Sequence, residues 1–212
     1  MSQVKESPIL FSAPMVRAIL ESRKTVTRRT VKATKAHADG FIMLDHGKGW
    51  RPYNAFGDFT SDHEGMEYPI ACPYGKPGDR LWVRETFGLQ VRHYGGGAGE
   101  HIVYRATNPD AIYCKSAEGQ EYPVKWKPSI HMPRHSSRIL LKITDVRVER
   151  LQDITEDQAT AEGVCASAVE SFKAAGVERP AGFAFRDIWT SINGDEGWPS
   201  NPWVWVVEFK RV

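Results

Sequence analysis

Three observations predict an α+β fold: a small mixed β-barrel with flanking helices and long loop insertions. Alternating apolar positions mark strands at Ile139, Leu141 and Ile143 and at Trp203, Trp205, Val207 and Phe209. Helical signals are confined to the start of the chain and to the stretch between those two strands. Strands outnumber helices without alternating with them one for one, which disfavours a doubly wound parallel sheet. A chain of 212 residues, 41% hydrophobic and 25% charged, suits one domain with a buried core.

The first element is a strand at 9–11. Ser12 is a candidate cap for the helix that follows, with Pro14 in its first turn and Met15, Val16, Ile19 and Leu20 as its apolar stripe. The β-branched run Thr25-Val26-Thr27 ends that helix and leads into extended chain. Residues 33–75, rich in Gly, Pro, Asp and aromatics, show no period and read as an insertion with little regular structure. Pro77-Gly78-Asp79 makes a tight turn into a strand where Leu81 and Val83 alternate with Trp82 and Arg84. Residues 88–135 form a second insertion: a Gly-rich loop, a strand from His101, then an irregular stretch from 108. The segment 138–154 is long and β-rich. In Thr155-x-x-Gln158 the spacing is that of a capping box; Glu156 and Asp157 suit a first turn, and Gly163 suits a stop. Helices at 166–175 and 182–192 precede the closing strand.

A net charge of +2 is too small to mark a nucleic-acid partner, but its distribution is uneven. Between Glu21 and Asp39 stand Arg23, Lys24, Arg28, Arg29, Lys32 and Lys35 with no acid. A second acid-free stretch holds Lys125, Lys127, Arg134, Arg138 and Lys142 beside Trp126, His131 and His135. Cys72, Cys114 and Cys165 are odd in number and contain no C-x-x-C, which argues against a disulfide framework and for a reducing, cytoplasmic setting. No stretch approaches transmembrane length. Pro133 separates His131 from His135 and no Cys or carboxylate stands close, so no metal is expected there. The run at 95–99 lacks the G-K-[ST] ending of a phosphate loop.

Four segments in order, "ESRKTVTRR", "KPGDRLWVRE", "ITDVRVERLQDITEDQATAEGV" and "WVVEFKRV", resemble the ASCH domain family, whose barrel is related to the PUA fold of RNA-modifying proteins. The resemblance covers roughly half of the chain; the two long segments resemble insertions of larger, phage-carried members. It implies an amidohydrolase that releases the acyl group from N4-acylated cytosine compounds such as N4-acetylcytidine, a small-molecule modified nucleoside, without metal or organic cofactor. In the family's K-T-x-T-x-R run the matching residues are Lys24, Thr27 and Arg29, and its T-E-x-x-A-x-x-E stretch ends here at Glu162. Lys24, Thr27 and Glu162 are then the catalytic set, with Arg28, Arg29 and Trp82 as substrate-binding candidates.

The chemistry is coherent. A threonine hydroxyl attacks only when a neighbour accepts its proton, and a lysine does so when burial or adjacent cations such as Arg28 and Arg29 depress its pKa. Glu162 would orient Lys24, shuttle a proton to the departing amine or activate a water, the rival nucleophile. Arg29 would hold substrate or a developing oxyanion. Trp82 would stack on a base. A regular strand would turn Lys24 and Thr27 apart, so the site requires a turn between them. The alternatives are an RNA-binding or regulatory module using the same cleft and both basic stretches, and a ribonuclease.

Overall fold

The computed structural model describes residues 3–35, 38–47, 49–56, 68–94 and 97–212. Gly95 and Gly96 of the Gly-rich run, and residues 57–67 of the first insertion, lie outside the described residues. The centre is a five-stranded sheet in the order β1 (Glu6–Leu10), β5 (Arg80–Arg84), β10 (Leu140–Arg150), β11 (Trp203–Arg211), β2 (Val26–Thr30). β1 runs parallel to β5, and the other pairs are antiparallel. The fold is thus α+β with a mixed sheet.

The expected barrel is corrected: among the described residues no ladder joins β1 to β2, so the sheet stays open at both. Pro8 lies within β1, and a proline, lacking an N–H, suits a strand to an edge. The two edges meet instead through one side chain, the Arg29 guanidinium donating to the Leu10 carbonyl at 2.8 Å.

β10 and β11 pair from Leu141↔Arg211 to Arg150↔Trp203, with an irregularity between Ile143 and Asp145. Because side chains alternate along a strand, β11 feeds two cores. Trp205, Val207 and Phe209 join Ile9, Leu81, Leu141 and Ile143, with Val16 and Ile19 of α1 (Ala13–Leu20). Val204 and Val206 join Leu151, Ile154 and Ala159, with Phe185 and Trp189 of the C-terminal helical layer. That layer comprises α2 (Glu156–Ala161), α3 (Ala166–Ala174) and α4 (Pro180–Asn193). The capping box at Thr155 and Gln158 is present with both bonds made.

Segments expected to be mostly irregular contain local ribbons, and the strand expected from His101 is part of one of them. β3 (Gly40–Asp45) pairs with β4 (Trp50–Ala55), β6 (Phe87–Tyr94) with β7 (Gly97–Tyr104), and β8 (Ile112–Lys115) with β9 (Glu121–Pro123). Each closes on itself and pairs with no strand of the central sheet. With only one partner and mostly intermediate burial, β3 lacks the in–out alternation that betrays a strand in sequence. Among the described residues, no helix is long and apolar enough to cross a membrane.

Candidate active site

The chain leaves α1 through Ser22, whose φ of 60° is left-handed, and the amides of Arg23 and Lys24 both donate to the Ala18 carbonyl. This turn precedes Lys24; the turn expected between Lys24 and Thr27 is not there, because the chain pairs with its neighbours from Lys24 on and is strand from Val26. Lys24 then forms an isolated antiparallel bridge with Glu162, and the Thr25 amide donates to Ala161 at 2.9 Å. Gly163, just beyond Glu162, makes the approach possible. Its φ is +84°, and a Cβ there would lie 2.8 Å from the Cβ atoms of both Ala18 and Lys24.

The result is a buried charged cluster. Lys24 Nζ donates to Glu162 Oε2 at 2.6 Å and to the Glu162 carbonyl at 2.9 Å. The two side chains are 0% and 4% exposed. Arg28 Nη1 meets the other oxygen, Glu162 Oε1, at 3.3 Å. Its Nη2 donates to Glu149 Oε2 at 3.2 Å and to Gln158 Oε1 at 2.9 Å. That Gln158 oxygen also accepts from the Thr155 amide, so the capping box of α2 holds Arg28 as well as the helix end. Burial pushes the Lys24 ammonium below its ordinary value of 10.5; Glu162 opposes the shift, and Arg29 and Arg28 add to it.

Beside this cluster lies a cavity of about 420 Å³, bordered by Thr27, Arg28, Arg29, Thr30 and Glu162. Consecutive residues border it because β2 is an edge strand and the cavity runs along it. Thr27 is buried in β2 opposite Val207 and makes no side-chain hydrogen bond among the described residues. Lys24 does not border the cavity; Glu162 stands between. The Nε–H groups of Arg28 and Arg29 are buried and have no acceptor among the described residues.

The structure therefore brings Thr27, Arg28, Arg29 and Glu162 to one cavity, with Lys24 held on Glu162 but outside the lining. Trp82 it does not: this side chain packs under the Arg84 guanidinium, 5.3 Å from its ring, and does not border the cavity. The aromatic walls are Tyr74, Phe185, Trp189 and Trp205, none of them singled out from the sequence as a site residue. The alternation of β11 marks Trp205 as a sheet residue, but nothing local to Tyr74 or α4 points at β2. Burial raises the Tyr74 phenol, with Arg29 opposing.

The second basic stretch is elsewhere and partly neutralised. Arg138 makes a two-pronged pair with buried Glu85, both bonds 2.9 Å, and Arg134 pairs with Glu6 at 3.0 Å. His131 and His135 lie exposed in separate 3₁₀ turns, and the described residues hold no group of three His, Cys, Asp or Glu placed for a metal. Burial pushes the Cys72 thiol up, away from the nucleophilic thiolate. No family model, curated protein or solved structure matches the chain.

Proposed function

We propose that the chain is a PUA-like, ASCH-type amidohydrolase that removes the acyl group from N4-acylated cytosine nucleosides or bases. The observation that carries this reading is the 2.6 Å contact of buried Lys24 with Glu162 at the wall of a cavity that Thr27 borders. Lys24, held by Glu162 and lowered by burial, is the proton acceptor; Thr27, or a water beside Glu162, attacks the acyl carbonyl. The departing group is the 4-amine of cytosine, and the acyl group leaves as a carboxylic acid. Arg29 holds the substrate, and Tyr74 and Trp205 flank the base.

The test is deacylation of N4-acetylcytidine by the purified protein, followed by the change in its ultraviolet spectrum. Turnover is expected, with Lys24→Ala, Thr27→Ala and Glu162→Ala each losing on the order of 10²-fold or more. A general base on Lys24 acts when neutral, so kcat/KM should rise with pH along a limb below the ordinary 10.5 that disappears in Lys24→Ala. One observation favours a second reading, a nucleotide-binding module without turnover: the Lys24 side chain has no exposure and, among the described residues, donates hydrogen bonds only to Glu162. No turnover with retained, salt-sensitive binding of cytidine-containing RNA would select it.

A further inference from the structure

The cavity along β2 presents more positive charge than acyl-group removal from a neutral nucleoside needs. Among the described residues, Arg28, Arg29 and Lys32 border it against a single carboxylate, Glu162. That carboxylate is already shared, one oxygen to Lys24 and one to Arg28. Arg28 has further acceptors in Glu149 and Gln158. Arg29 has none of this kind: among the described residues it makes no ion pair, and its guanidinium donates only to the neutral Leu10 carbonyl. Its Nε–H, like that of Arg28, is buried without an acceptor. Buried charged donors without acceptors are costly, and their usual explanation is a ligand or water that supplies one.

The remaining polar lining completes the pattern. Lys32 stands exposed at the cavity's border, and Thr27, Thr30 and Thr34 add hydroxyls along the same strand and its extension. Guanidinium, ammonium and hydroxyl donors on one side, facing aromatic rings of Trp189, Trp205 and Tyr74, are the donor set of a nucleotide site. We infer that the ligand of this cavity carries a phosphate: an acylated cytidine monophosphate unit, with Arg29 and Lys32 receiving the phosphate oxygens. The inference rests on the acyl-cytosine reading for the identity of the base, but not for the phosphate. The phosphate could belong to a free nucleotide or to an RNA strand.

The test compares cytidine, cytidine 5′-monophosphate, inorganic phosphate and a cytidine trinucleotide by calorimetry and tryptophan fluorescence on the intact chain. The monophosphate should bind at least about tenfold more tightly than cytidine, the scale of one charge-assisted contact. That ratio should fall toward one in Arg29→Gln, in Lys32→Gln and at high salt. Lys32→Gln changes an exposed side chain, so it keeps the test decisive if Arg29→Gln misfolds. A trinucleotide that binds more tightly than the monophosphate assigns the phosphate to a strand; equal or weaker binding assigns it to a free nucleotide. Equal affinities for cytidine and its monophosphate, or a preference unchanged in both variants, would overturn the inference. A phosphate preference without deacylation of any acetylated substrate removes the proposed activity and leaves the anion site standing. Deacylation of N4-acetylcytidine with no phosphate preference does the reverse.

Discussion

At the scale of residues, Lys24 and Glu162 decide between chemistry and architecture. A buried ion pair loses much of its attraction to desolvation, so its presence alone argues weakly for stability. Removing one partner is a different matter, because the other is left buried without compensation. Lys24→Met should therefore destabilise the fold by about 3 kcal/mol, the lower end of the usual range, since Glu162 keeps Arg28. Lys24→Met with Glu162→Leu should recover most of that loss, and a double-mutant cycle in denaturant measures the coupling. Deacylation should stay lost in the double variant. Restored stability with restored turnover would show that neither group does chemistry. Additive losses would show that the 2.6 Å contact contributes nothing to the fold.

At the scale of elements, the site depends on how α2 ends. Its capping box fixes the start, and Gly163 fixes the stop at the place where Lys24 crosses. Gly163→Ala should cost about 2–4 kcal/mol: the left-handed φ of +84° strains any side chain, and the new Cβ meets Lys24 and Ala18 at 2.8 Å. Activity should fall beyond what the lost folded fraction explains, because the displaced backbone is that of Lys24. A variant with wild-type melting temperature would show that this turn has room to relax. The signals for α2 were legible in sequence because each acts within one helical turn: Thr155 on Gln158, and glycine's freedom at the last residue. The ribbons β3–β4 and β8–β9 were not legible. β3, β8 and β9 bury little and β4 buries four residues in a row, Pro52 to Ala55, so none of them carries a period-two signal.

At the scale of the whole molecule, one sheet separates two cores, and β11 contributes to both. Leu141 belongs to the first core and Leu151 to the second, each with no exposed surface. Leu141→Ala and Leu151→Ala should each cost about 2–5 kcal/mol by cavity formation. Sharing no cluster, their losses should add within about 0.5 kcal/mol if the two layers unfold together, in one denaturant transition seen alike by fluorescence and far-ultraviolet dichroism. Two separated transitions would instead make the helical layer an independent unit. The open sheet also shows where whole-chain expectation failed. Alternation announces strands, but closure depends on whether the outermost two can pair, and here Pro8 sits in one while a cavity runs along the other.

The sequence by itself determined the elements whose causes are local: the alternation of β11, the capping box and stop of α2, and a run of cations without acids. It also placed Lys24, Thr27 and Glu162 as a set, through an ordered resemblance and not through spacing. Only the tertiary structure decided which cation meets the carboxylate, since Lys24 and Glu162 stand 138 residues apart. Among the described residues it likewise left Arg29 without a carboxylate, kept Trp82 away, and brought Tyr74 and Trp205 to the cavity instead. The physical reason is range. Caps, turns and periodicity are settled by neighbours within a few residues, whereas burial and the neutralisation of charge are settled by whatever the fold brings alongside.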